Sequence, residues 1–189
     1  MARWQPDARD RLAAAALDLF LEQGFDQTAV ADIAARAGVT ERTFFRHFVD
    51  KREVLFDAGN RLQNEVVAAV ASAPPGFTPL QVVESAFAAS ASFLTEERRP
   101  YSRRRAAALD SAAALQEREL LKLATLRTAV AEALEQRGLA APTARLAAEV
   151  GGSCFLAGFD DWIRADSADD LATCVHRAFA ELRALSSAQ

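Results

Sequence analysis

Apolar residues recur along the chain at intervals of three and four, the spacing of one face of an α-helix. Leu12, Ala15, Ala16, Leu19 and Phe20 predict a helix over about 7–23. Gly24 ends it, and Phe25 is placed to fold back on Phe20 as in a Schellman cap. Thr28 is a fitting N-cap for a second helix over about 29–37, whose inner face carries Val30, Ile33, Ala34 and Ala37. Gly38 stops that helix and Thr40 caps the next at once. Val39 and Phe44 can staple its first turn, and Phe44 and Phe48 face inward. Leu12, Leu19, Phe20, Phe25, Ile33, Phe44 and Phe48 together predict one small core.

Asp50 and Glu53 form an Asp-x-x-Glu cap for a helix expected from Lys51 to about Ala71, with Leu55, Leu62, Val66 and Val70 as its stripe. Ser72–Phe77 contains Pro74, Pro75 and Gly76 and is the clearest break. Thr78, Pro79 and Gln81 restart the chain as a capping box with proline at the first helical position. Further helices are expected at about 79–96, 100–110, 111–137, 142–165 and, capped by Ser167, to about Leu185. The fold class is therefore all-α, about nine helices. A three-helix domain occupies 1–50, a linking helix 51–71, and a helical bundle 72–189.

Composition agrees with helix. Of 189 residues, 51% are hydrophobic and 25% charged, alanine is very frequent, and there are only eight glycines and six prolines. The net charge of −4 argues against whole-surface nucleic-acid binding but allows a local basic face. Such a face follows from the two short helices around Gly38, which have the form of a helix-turn-helix whose second helix lies in the DNA major groove. Glu41, Arg42, Thr43, Phe45, Arg46 and His47 point outward. Arg42 and Arg46, at i and i+4, share one face, and arginine can bond both O6 and N7 of guanine. Thr43 and His47 flank them within reach of phosphates. Lys51 and Arg52, in a first turn that disfavours cations, suggest a phosphate at that helix N-terminus or two solvated charges. Arg3, in the short arm at 1–5, could enter a minor groove or belong to a frayed terminus.

The run Gly24-Phe25, Thr28, Asp32-Ile33-Ala34, Ala37-Gly38-Val39-Thr40, Thr43-Phe44-Phe45, His47-Phe48 and Lys51 resembles the DNA-binding domain of TetR-family transcriptional regulators. The resemblance covers the first quarter to third of the chain. It implies a homodimeric, ligand-responsive repressor of a palindromic operator, with a variable C-terminal regulatory domain. It also implies backbone contacts from Thr28, Thr43, His47 and Lys51 and base-facing positions at Glu41, Arg42 and Arg46, with Thr40 in the same surface. Two positions depart from the family. Phe45 stands where tyrosine is usual, so its role must be apolar, against a sugar or a thymine methyl. Arg42 stands where a small residue is common, which suggests a distinct operator. Glu41 suits the helix N-terminus electrostatically, or accepts from a cytosine amino group.

The C-terminal helices mix small with large residues. By the same resemblance the last two helices of each subunit form a four-helix dimer interface, expected at Val150, Cys154, Ala157, Gly158, Asp161, Val175, Phe179 and Leu182. Phe87, Phe93, Tyr101, Phe155, Phe159 and Trp162 could line an apolar pocket or be plain core. Arg104, in the run Arg103–Arg105, could hold an anionic group of a ligand or lie on a solvated helix face. A recognition helix spelled ERTFFRHF is similar to a branch of the family whose regulatory domain takes acyl-CoA-like ligands. No metal-ligand spacing, phosphate loop or nucleophile elbow occurs, and His47 and His176 are the two histidines, so no enzyme, metal or cofactor is expected. Cys154 and Cys174 are expected as buried apolar residues, and no segment as a leader or membrane span. The expected protein is cytoplasmic, and its partners are double-stranded DNA, a second copy of itself and a small-molecule effector.

Overall fold

The computed structural model describes residues 7–164 and 166–187 (for 57–59, the backbone only). The arm carrying Arg3 lies outside them, as does Ala165. Among the described residues there are nine α-helices: α1 (Ala8–Gln23), α2 (Val30–Arg36), α3 (Glu41–His47), α4 (Asp57–Ser72), α5 (Pro79–Ala88), α6 (Arg99–Asp110), α7 (Ala113–Gln136), α8 (Ala141–Ile163) and α9 (Leu171–Ser187). None is long and apolar enough to cross a membrane.

The chain forms two compact units. The first holds residues up to Ala58 together with Arg104–Leu120; the second holds Gly59–Arg103 and the chain from Leu121 onward. These boundaries differ from a linear division at 50 and 72. Residues 104–120 return to the first unit, where Ala108, Leu109 and Leu115 join its core. The same core contains Leu12, Leu19, Phe20, Phe25, Ile33, Phe44 and Phe48, as the periodicity implied, with Val54, Leu55 and Phe56. Phe20 and Phe25 meet edge to face, ring centroids 5.1 Å apart.

Several boundaries differ from expectation for local reasons. The helix expected from Lys51 starts only at Asp57, after a short 3-10 turn at Glu53–Leu55. Asp50 does cap this region, accepting from the backbone N–H of Arg52 (2.7 Å) and Glu53 (3.2 Å). The Glu53 carboxylate, however, turns away to a paired bond with Arg118. The helix expected over 79–96 stops at Ala88 and tightens into a 3-10 turn at Ala89–Ser92, where the buried Ser90 hydroxyl donates to the Phe87 carbonyl. The last helix is capped by Asp170, which accepts from the Thr173 N–H at 2.8 Å, and not by Ser167. The capping box at Thr78 and Gln81 forms as expected. The full Schellman pattern is absent at Gly24, but it closes α2 at Gly38 (φ +68°) and α7 at Gly138 (φ +94°).

In the second unit α8 packs against both α5 and α9. Three α8 glycines make its close packing possible, each toward a different neighbour. A Cβ on Gly151 would lie 2.9 Å from Phe87 and 3.0 Å from Val83 of α5. One on Gly152 would lie 2.6 Å from the Arg127 Nε of α7, and one on Gly158 2.8 Å from the backbone of Val175 in α9. Both cysteines are buried in this bundle as free thiols, and burial pushes both above the usual thiol range.

Candidate nucleic-acid interface

The turn between α2 and α3 is fixed by backbone chemistry. With Gly38 in the left-handed region, its N–H reaches the Ala35 carbonyl and the Val39 N–H reaches the Ala34 carbonyl at 2.9 Å. Thr40 then caps α3, its hydroxyl accepting from the Thr43 N–H at 3.3 Å. Phe44 and Phe48 are buried, with rings 5.5 Å apart, and this anchors one side of α3 inward. Glu41, Arg42, Phe45 and Arg46 are left exposed on the other side, with Thr43 and His47 half-buried. The expected outward set is thus brought together on one short helix.

Among the described cations of the first unit, most are engaged. Arg36 makes a paired bond to Glu22 at 3.1 and 2.8 Å, and Arg52 pairs with Asp50. Arg11 donates to the Ala37 carbonyl. Arg9 lies over the Phe48 ring. Arg105 bonds the Leu55 carbonyl and Glu119. Burial pushes the Asp50 carboxyl up, but bonds from the Arg52 side chain and from the Glu53 and Arg52 N–H groups outweigh it and hold the group below its usual range. Arg42 and Arg46 have no such partners. His47 Nε2 is also buried without a hydrogen-bond partner, an uncommon and costly state for a polar atom.

Two expected contact residues sit differently. Thr28 does not cap α2; that position is Ala29, whose N–H is taken by Asp32 at 3.1 Å. Thr28 is 1% exposed. Its hydroxyl donates to the Gly24 carbonyl (2.8 Å) and accepts from the Gln23 amide, so it faces the protein. Lys51 also turns inward. Its ammonium donates to the carbonyls of Phe25 (2.7 Å) and Thr28 (3.1 Å) and lies 4.2 Å from the Phe25 ring centre. It ties the segment after α3 to the loop before α2. The sequence signal for this tie is faint: a lysine just past α3 and an aromatic just past α1.

The expected ligand residues are divided between the two units. In the second unit Phe87 stacks on Phe155 (5.3 Å), Phe155 meets Phe159 (6.0 Å), and Phe159 meets Trp162 (5.7 Å). Phe87, Phe155 and Trp162 are buried as packing, and the Trp162 indole N–H donates to Glu96 at 2.8 Å. Phe93 lies under the guanidinium groups of Arg61 and Arg98. Tyr101 is exposed. Arg104 belongs to the first unit and pairs with Asp18 at 2.6 Å. Arg103 donates to the Ile163 and Arg164 carbonyls at the end of α8. A cleft of about 400 Å³ opens between α7 and α8, where Arg127, Glu132, Glu135, Arg145 and Glu149 meet Thr128, Ala131 and Ala141.

The expected dimer set divides likewise. Val175, Phe179, Gly158 and Cys154 are buried within this chain, where α8 meets α9. Val150, Asp161 and Leu182 are half-buried, and Ala157 is exposed. Leu146 and Leu185, which were not in the set, are the large exposed apolar residues of α8 and α9.

The profile of the tetR family of bacterial regulatory proteins matches residues 12–58, the stretch that builds the head. A second profile, the MftR C-terminal domain, matches residues 77–186, more than half of the chain. The chain belongs to the TetR family. It is 43% identical over 81 residues to the HTH-type transcriptional regulator TcmR of Streptomyces glaucescens, a match covering 43% of this chain and 36% of TcmR. It therefore spans about a third of that relative's length. The fold is similar to NalD, the secondary repressor of the MexAB-OprM multidrug efflux pump in Pseudomonas aeruginosa, with a TM-score of 0.62 and 20% identity over 95% of this chain and 97% of NalD. It is also similar to a transcriptional regulator from a Rhodococcus species, with a TM-score of 0.51 and 26% identity over 92% and 94% of the two chains. The TetR family is one of regulators, not enzymes.

Proposed function

We propose that this TetR-family chain is a homodimeric, cytoplasmic repressor that reads a palindromic DNA operator through α3 and leaves it when a small apolar or amphipathic ligand binds the second unit. One observation carries the DNA reading: Arg42 and Arg46 stand exposed and unpaired on the outward side of α3, while other cations of the head are engaged. Free guanidinium groups one helical turn apart fit guanine edges in a major groove. Two copies would place two such helices about one DNA turn apart, which a palindrome mirrors. A ligand would act only by binding the released state more tightly than the bound one.

The test is selection of duplexes from a random pool by the full chain, followed by anisotropy at moderate salt. A shared inverted repeat bound by a dimer is the expected result; no preferred sequence would refute it. A second reading, a ligand-sensing or protein-interaction module with impaired DNA binding, draws on Glu41 exposed on α3 and on Lys51 turned inward. Arg46→Ala separates the two. It relaxes sequence preference at one position if α3 reads DNA and changes nothing in the other case.

A further inference from the structure

Phe45 is 55% exposed on the outward side of α3, although a phenyl ring offers neither water nor phosphate a hydrogen bond. An α-helix turns about 100° per residue. With Phe44 and Phe48 inward, Arg42 and Arg46 project nearly opposite them. Thr43 and His47 fall on one flank of that pair, and Phe45 on the other. The Phe45 ring stands edge-on to Phe44, centroids 5.4 Å apart at 81°, so the core neighbour orients the ring and leaves it uncovered. An uncovered ring aimed at a polyanion has a use only where the nucleic acid presents apolar surface. Among base edges in the major groove, the 5-methyl of thymine is that surface.

The spacing narrows the choice. Four residues of helix rise about 6 Å, close to two base steps at about 3.4 Å each. Arg42 and Arg46 therefore reach guanines about two base pairs apart, and Phe45 lies within the same axial span. We propose that Phe45 is a specificity residue of α3, seated against the 5-methyl of a thymine beside the guanines taken by Arg42 and Arg46. This rests on the DNA-binding reading above.

The experiment uses the full chain and duplexes it has selected. Each half-site thymine is replaced in turn by deoxyuridine, which keeps every hydrogen bond and deletes the methyl. One position per half-site should respond, with affinity falling about fourfold, the worth of one buried methyl-sized group. Phe45→Ala, at a position outside the core, should unfold at the parent temperature and bind the two duplexes alike. Phe45→Leu should keep the preference. Equal binding of thymine and uracil duplexes by the parent, with other sequence preference intact, overturns the proposal and leaves the DNA reading standing. Uniform weakening by Phe45→Ala without any parental thymine preference assigns the ring to a sugar and overturns it too. Recovery of no preferred duplex overturns both.

Discussion

Arg42, Arg46 and Lys51 are all cations near the reading surface, and their surroundings give them different work. The two arginines are exposed without partners. Arg46→Ala should cost about 1–3 kcal/mol against the preferred operator and relax its sequence at one position, read by anisotropy across single-base variants. Lys51 instead holds two carbonyls and an aromatic face within the head. Lys51→Ala should lower stability by about 1.5–3 kcal/mol in urea denaturation, the worth of charge-assisted hydrogen bonds. It should leave the salt dependence of DNA binding unchanged; a slope smaller by about one would mean that the ammonium contacts a phosphate. The outward residues of α3 were legible in the sequence because Phe44 and Phe48, at i and i+4, fix which way the helix faces. The inward roles of Lys51 and Thr28 were not. Their partners are backbone carbonyls, at Phe25 and Thr28 for the lysine and Gly24 for the threonine, and side-chain periodicity does not encode these.

Helices were easier to read than their ends. Val66, Val70, Val130, Leu134, Val175 and Phe179 are buried as their spacing implied. The late start of α4 was hidden because Glu53 has a competing partner, Arg118, 65 residues away. The run Arg103–Arg105 offered a ligand anion or water, and each member instead found protein: carbonyls ending α8 for Arg103, Asp18 for Arg104, and Leu55 and Glu119 for Arg105. Gly158 was legible as a close-approach residue but not its neighbour within the chain, which is the α9 backbone. Gly158→Ala gains about 1 kcal/mol of helix propensity. Its Cβ would nevertheless sit 2.8 Å from the Val175 backbone, and backbone yields less readily than a side-chain tip. A net loss of about 1–2 kcal/mol is expected in urea denaturation, since overpacking usually outweighs such gains. Ser153→Ala on the exposed side of α8 is the control and should change little.

At the scale of the molecule, ion pairs join helices that lie far apart in sequence. Glu84 of α5 holds both His176 (2.9 Å) and Arg183 (2.7 Å) of α9. Burial pushes its carboxyl up, but these two partners outweigh that and hold it below the usual range. A lowered pKa contributes stability that is complete above the ordinary carboxylate range and fades as pH falls through the folded value. Glu84→Gln should therefore be less stable than the parent at pH 7 by about 0.5–1 kcal/mol. The gap should close below about pH 4 in urea titrations. The proposed homodimer needs an outer face, and Leu146 and Leu185 are the large apolar residues that α8 and α9 leave exposed. Leu146→Glu with Leu185→Glu should sediment as a monomer while keeping the parent helix content. Finally, the chain's two cysteines lie sealed in the same bundle and ionise reluctantly. Neither is available to a bulky disulfide reagent until α8 and α9 part. The rate at which the unaltered protein releases coloured thiolate thus clocks the breathing of that helix pair, and a molecule that fastens the pair should slow the clock without any dye having been attached.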